Sequence, residues 1–341
     1  MIRGVRTRTL VIAVALGFTT TVLVACDPPP PPPPVDIYSF AGRCHVLRHD
    51  ASGGFVARDS LGYTARATLA GATPFHMQAT ALGRYLFYGP RGEMPQVGLL
   101  DQVSATSTPG RPADWRISTS NGRVGFTSLS NSRGLTVTSA GRLATSTALA
   151  AGWSLVAATG CTRFPEVQVN TSGSPLEGES PTAPVRGFLD AHTHISAFQF
   201  LGGRFHCGRP WSPYGVTVAL QDCPDHEPDG AAAVVENFFV NGTPVGTHNT
   251  EGWPSFAGWP RPESLTHEGT YWKWIERAWR GGLRVLVNDL VENRALCEIY
   301  PLKKNNCNEM ASVRQQAADM VALQGYIDAQ NRGPGKGSSA S

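Results

Sequence analysis

Hydrophobic positions change their period once along this chain. Up to about residue 161 they come in short runs such as Tyr85-Leu86-Phe87-Tyr88, Val124-Gly125-Phe126 and Leu135-Thr136-Val137, separated by glycine-rich turns. Such runs predict the strands of an all-β unit over residues 37–161. Within it Phe75, Trp115 and Trp153 recur at intervals of 40 and 38 residues, each after a small or turn-forming stretch (GATPF, RPADW, LAAGW). The stretch from Gly62-Tyr63 to Phe75 also matches Gly141-Arg142 to Trp153 in length and in its Ala/Thr-rich body. Repetition at this interval predicts three similar units closed about an axis, the second stretched by a loop around 89–110. A repeated position is a packing position, so Trp115 and Trp153 are expected as core plugs rather than stacking platforms. His45, His49 and His76 show no ligand spacing and read as scaffold.

Residues 162–184 are rich in Pro, Ser, Gly and Glu without a period, which predicts a linker. An apolar strand from Val185 to Asp190 follows. Thr266 is placed to cap a helix with His267-Glu268 in its first turn, an apolar face of Tyr271, Trp274, Ile275, Ala278 and Trp279, and Gly281-Gly282 to stop it. A second strand, Leu283 to Val287, ends in Asn288-Asp289. A long helix from about Glu309 to Gln330 sets Met310, Val313, Ala317, Met320, Val321 and Ile327 on one face. Strand, helix, strand, helix predicts the opening of a parallel α/β structure over residues 185–341.

The β half resembles a β-trefoil of the ricin-B or fascin-like kind, over about 120 residues. That resemblance implies termini that meet, where a Cys44–Cys161 disulfide would tie the first strand to the last. It also implies binding of a glycan or a surface protein. The Gln-x-Trp signature of the ricin-like branch is missing, because Ala113-Asp114 and Ala151-Gly152 precede the two tryptophans.

The N-terminus carries Arg3, Arg6 and Arg8 before an apolar run from Leu10 to Ala25, closing in Leu23-Val24-Ala25-Cys26. Residues 1–26 resemble a bacterial lipoprotein signal peptide with its lipobox. The resemblance implies an acylated Cys26, a lipid bilayer as partner and an extracytoplasmic, lipid-anchored location. Residues 27–36 hold seven consecutive prolines, Pro28 to Pro34, and read as an extended spacer. Removing residues 1–26 takes three of the 29 Lys and Arg and none of the 26 Asp and Glu, leaving 26 of each. A neutral mature chain argues against nucleic acid as a partner. The other six cysteines suit an oxidising compartment, and of the 15 connectivities open to them the spacing favours Cys44–Cys161, Cys207–Cys223 and Cys297–Cys307.

The sharpest chemical signal is the run GFLDAHTHI. Along a strand residues i and i+2 share a face, so His192 and His194 can aim at one point with Thr193 turned away. Two neutral imidazoles at one point suit a divalent metal, zinc above all. With the βαβα pattern behind it, this motif resembles the amidohydrolase superfamily of metal-dependent hydrolases, whose (β/α)8 barrels carry their sites at the C-terminal strand ends. The resemblance makes His192 and His194 metal ligands, Asp190 a residue that orients one of them, and His248, His267 and Asp289 candidates to face substrate. The chain is also similar in this motif to the polymerase-and-histidinol-phosphatase family, which opens on the same His-x-His. Residues 185–341 number 157 against about 250 for a complete barrel, so the resemblance covers only its N-terminal, truncated part. Nothing in the chain corresponds to the family's later ligands.

The expectation is therefore a multidomain protein, an all-β trefoil followed by the N-terminal part of an α/β (β/α)8 TIM-type barrel. Its function reads as that of a membrane-anchored lipoprotein related to metal-dependent hydrolases. The alternative is a non-catalytic surface binding lipoprotein whose trefoil is the working part.

Overall fold

A computed structural model describes residues 34–148, 152–172, 182, 184, 186–221, 234–246 and 266–337. The short apolar runs of the first half become twelve strands among these residues. They are β1 (Cys44–His49), β2 (Phe55–Asp59), β3 (Gly62–Ala67), β4 (Phe75–Ala81), β5 (Arg84–Tyr88), β6 (Met94–Val97), β7 (Val103–Thr106), β8 (Trp115–Ser120), β9 (Arg123–Ser128), β10 (Gly134–Val137), β11 (Leu143–Ser146) and β12 (Trp153–Ala157). Pairing runs β1–β4–β5–β8–β9–β12 and back from β12 to β1, all antiparallel, which closes a six-stranded barrel. The other six strands form the hairpins β2–β3, β6–β7 and β10–β11. Bridges Thr64↔Arg142 and Gln102↔Ala144 join these hairpins to one another. A closed six-stranded barrel with three hairpins is a trefoil-like, all-β arrangement, and closure leaves the barrel strands no open edge. The stretch expected as a loop around 89–110 is corrected here, since the β6–β7 hairpin of the second unit fills most of it. Its runs are only four residues long, and alternation over four positions is too short to read.

The three repeated aromatics each open the last strand of their unit, β4, β8 and β12, and are exposed by no more than 1%. Phe87 stands between Phe75 and Trp115, and Phe126 between Phe87 and Trp153, with ring centroids 5.1 to 6.2 Å apart. Each indole N–H finds a carbonyl on the hairpin of its own unit: Trp115 donates to Pro95 at 3.0 Å and Trp153 to Leu135 at 3.2 Å. The plugs are thus satisfied as well as buried. Disulfide Cys44–Cys161 joins the barrel's first strand to the segment after its last. His45 is buried against Phe40, and burial lowers the pKa of His45, His49 and His76, as suits scaffold positions.

The second half corrects the barrel expectation. β13 (Phe188–Thr193) and β14 (Leu283–Asn288) pair in parallel, but the described residues contain no third strand beside them and no (β/α)8 barrel. Between them the described residues form a 3-10 helix (Ala197–Gly202), α1 (Val216–Ala219), α2 (Val234–Asn241) and α3 (Trp272–Arg280), followed after β14 by α4 (Arg294–Ile299) and α5 (Glu309–Gln330). The strand–helix–strand pattern specifies one parallel crossover and nothing about closure, which needs further strands. Phe188, Leu189, Val285 and Val287 on this pair are half exposed accordingly. Gly187 opens the pair at φ +151°, where a Cβ would lie 2.3 Å from the Gly282 carbonyl oxygen, so only glycine fits the approach.

The helix expected from Thr266 begins later. Its N-cap is Tyr271, while the Thr266 hydroxyl donates to Glu236 at 2.6 Å and leaves His267-Glu268 outside the helix. Asn293 and Asn308 cap α4 and α5 through side-chain oxygens that accept from Leu296 and Ala311. The end of α5 packs on the trefoil: Ala329 joins its core, Gln330 donates to the Ala79 carbonyl at 2.8 Å, and Arg332 to that of Ala41 at 3.1 Å. Among the described residues no helix is long and apolar enough to cross a membrane.

Much of the segment expected as a linker, up to residue 169, is packed. Phe164 meets Tyr88 edge to face, Val167 enters the core formed by α1, α3 and α5, and Arg277 holds the carbonyls of Gln168 and Val169. Glu166 is half-buried against the buried Tyr271, whose hydroxyl lies 2.8 and 3.0 Å from its two carboxyl oxygens. Burial raises the Glu166 pKa to about 7, against the opposing pull of the Val167 amide, Tyr271 and Lys273. The folded state therefore holds this proton more tightly than the unfolded chain does. Stability from this group is greatest below the ordinary carboxyl pKa, falls as pH rises towards 7, and is flat above that. The expected loss is roughly 3 kcal/mol over that window. Urea titrations at pH 4.5 and 7.5 should show it, and Glu166→Gln should flatten it; equal slopes in both proteins would contradict the assignment.

Candidate functional site

Two places hold side chains arranged for binding. The first is the C-terminal end of the parallel pair, where β13 delivers His192 and His194. Their Nε2 atoms stand 3.0 Å apart with the rings edge to face. His194 Nδ1 lies 2.9 Å from the Asp289 carbonyl oxygen, which can only accept, so the proton sits on Nδ1. His192 Nδ1 faces the Asp289 carboxylate at 3.5 Å. With the His194 proton on Nδ1, its Nε2 is left to accept from His192 Nε2–H, and a metal cation between the two nitrogens would take the place of that proton. Two Zn–N bonds at a tetrahedral angle place their nitrogens roughly 3.3 Å apart, close to the spacing seen.

Asp289, expected to face substrate, holds the His194 ring through its carbonyl and brings its carboxylate near the His192 ring. Asp190 does not orient a ring: its carboxylate accepts the His192 backbone amide at 3.2 Å. Thr193 is turned away as expected, bonding the Val287 carbonyl. The described residues contain no group of three or more His, Cys, Asp or Glu placed to hold a metal ion. The donor set thus fits a cation held by two imidazoles, short of the three protein ligands of a catalytic zinc.

Other expected residues lie elsewhere. His267 is buried, 3.4 Å from the Glu236 carboxylate, while the His192 ring is exposed. His248 and the lipobox Cys26 fall outside the described residues. Cys207 is disulfide-bonded, and Cys223, its expected partner, is also outside them. The third expected bridge, Cys297–Cys307, is present.

The second place is on the trefoil, and the sequence did not flag it. A cleft of about 240 Å³ opens between the first hairpin and the β5–β6 connection, lined by Arg58, Tyr63, Thr73, Pro74, Pro90 and Glu93. Arg58 Nε and Glu93 Oε2 pair at 3.1 Å, with side chains 22% and 28% exposed. Thr73 Oγ1 accepts the Arg58 amide, and the Arg58 guanidinium reaches the Gly62 carbonyl and lies 5.7 Å over the Tyr63 ring. Arg58 and Glu93 are 35 positions apart in different units, and no local spacing joins them.

No family model matches the chain, and no curated protein sequence does. Among solved structures it is similar to a GlcNAcα1-4Gal-releasing endo-β-galactosidase from Clostridium perfringens, at 16% identity and TM-score 0.31 over 34% of this chain and 33% of that one. It is also similar to SeviL bound to asialo-GM1 saccharide, at 15% identity and TM-score 0.29 over 34% of this chain and 98% of that one. A designed threefold-symmetric protein, ThreeFoil, matches at 15% identity and TM-score 0.30 over 33% and 97%. The match spans 33% of that endo-β-galactosidase and 27% of a similar GH43 β-1,3-galactosidase, so the chain covers about a third or less of their length. Likenesses of this size assign no ligand.

Proposed function

We propose that the chain is a surface binding protein whose working part is the trefoil, and that the Arg58–Glu93 cleft takes one sugar ring of a glycan. The observation that carries this is the pair itself, a guanidinium and a carboxylate side by side at the wall of a small polar cleft. Adjacent hydroxyls can donate to Glu93 and accept from Arg58 while the pair stays together, so neither charge is left unpaired. Pro74 and Pro90 offer apolar edges for the C–H side of a ring. The volume falls below the roughly 300–1,000 Å³ of drug-sized pockets, which suits a single ring. Export and tethering through an acylated Cys26 belong to the same proposal. They are supported by the basic, apolar, Leu-Val-Ala-Cys run and by disulfides of the kind that persist in oxidising compartments.

A glycan array probed with the full chain tests it. Saturable binding to at least one glycan class is expected, weakened about tenfold or more in Glu93→Gln, which keeps the side chain's size but loses the charged acceptor. A silent array, or binding indifferent to Glu93→Gln, would remove the cleft assignment.

The facing Nε2 atoms of His192 and His194 favour a second reading, a divalent-cation site, zinc by the nitrogen donors. Calorimetric titration with zinc should give one site that His192→Ala removes. Unchanged zinc uptake in that variant would sink it. With two protein ligands in the described site, no hydrolytic step is assigned.

A further inference from the structure

The imidazoles of His192 and His194 supply two of the four donors that a tetrahedral zinc ion takes. Among the described residues no third His, Cys, Asp or Glu is placed to join them. Both histidines are exposed at the C-terminal end of β13, the His192 side chain by 74%, so another molecule can reach the pair. Each chain also brings the Asp289 carboxylate, 43% exposed and 3.5 Å from His192 Nδ1. One divalent cation set between two such ends is therefore matched in charge by two carboxylates.

A structural zinc site closes its coordination with four protein ligands. The donors missing here equal in kind and number the donors present, and a two-fold axis through the metal supplies such a set, since it brings the same patch of a second copy to the first. We propose that one zinc ion joins two copies of this chain, each giving Nε2 of His192 and of His194. This rests on the second reading above, that the pair holds a divalent cation. Zinc takes the place of the proton on His192 Nε2, and the neutral ring then carries its proton on Nδ1, facing the Asp289 carboxylate. His194 needs no change, because its bond to the Asp289 carbonyl already keeps the proton on Nδ1 and leaves Nε2 to the metal. Each copy thus orients its own rings, and the second copy adds donors without displacing a bond of the first.

Sedimentation equilibrium of the full chain, with bound zinc counted in each sample, tests the proposal. The mass without zinc is expected to be that of one chain and to double as zinc is added, with about one ion bound for every two chains. EDTA should restore the single chain. His194→Ala should remain a single chain at every zinc concentration, with far-ultraviolet dichroism like that of the wild type because the residue it alters is exposed. One ion per chain with no change in mass would overturn the pairing and leave the cation site standing, whereas no bound zinc would overturn both. A dimer that persists in EDTA, or that forms in His194→Ala, would show that the copies meet through another surface and would overturn the proposal.

Discussion

Trp115→Ala is expected to cost about 3–5 kcal/mol, a large share of the roughly 5–15 kcal/mol that holds an ordinary domain folded. The side chain is fully buried, stacks 6.2 Å from Phe87 and donates to the Pro95 carbonyl, so truncation opens a void and orphans a buried acceptor together. Trp115→Phe separates these effects. It keeps most of the ring and should lose only about 1–3 kcal/mol, the cost of the unpaired carbonyl and a smaller gap. Because β6 belongs to the hairpin and β8 to the barrel, the indole bond ties one to the other. Urea midpoints followed by tryptophan fluorescence and by far-ultraviolet dichroism should fall together. A small loss in Trp115→Ala, comparable with that in Trp115→Phe, would mean that the repeated aromatics do not plug the core.

The second large effect belongs to the Cys44–Cys161 disulfide. Its sequence separation of 117 makes it the longer-range of the two bridges seen, against 10 for Cys297–Cys307. Chain entropy assigns about 5 kcal/mol to a loop of the first length and about 3 kcal/mol to the second. The longer bridge also holds together what β1 and β12 pair over five residues, His45↔Ala157 to His49↔Trp153. Cys44→Ser/Cys161→Ser should lower the denaturation midpoint more than Cys297→Ser/Cys307→Ser, and added reductant, which opens every bridge, should bring the wild type below either variant. The reverse order would show that closure of the barrel does not depend on this bridge.

The sequence was legible where a signal repeats or lies close in the chain. Phe75, Trp115 and Trp153 announce a threefold core because each unit needs one bulky plug at the same point, and periodicity survives substitution among aromatics. The pairing of Cys44 with Cys161 follows from where the ends of such a closed unit meet. The extent of the long helix to Gln330 was legible but not its buried face: Met310, Ala317 and Val321 are exposed, while Ser312, Gln316, Leu323, Tyr326 and Ala329 are buried. The barrel reading failed for a physical reason. His192-x-His194 and the following strand encode one parallel pair, and neither residue spacing nor helix periodicity encodes how many strands stand beside it.

The sites divide in the same way. Convergence of His192 and His194 was legible because two residues apart on a strand is a local geometry. The role of Asp289 was only half visible, since its carbonyl and carboxylate act across 95 and 97 positions. Arg58 with Glu93, and Glu166 with Tyr271, join distant segments, and one member of each pair sits in a stretch that reads as loop or linker. Their polarity looks like ordinary surface until the fold buries or juxtaposes it.

On the proposed reading the trefoil cleft is where this protein meets its ligand. Its most direct test is to follow the Arg58 Nε–H resonance by two-dimensional NMR while the full chain is titrated with the monosaccharides of any glycan class it binds. The expected result is a saturable shift of Arg58 by one sugar, absent in Glu93→Gln, with the indole N–H signals of the buried Trp115 and Trp153 unmoved. A glycan that binds while leaving Arg58 unshifted, or no sugar that binds at all, would contradict the account.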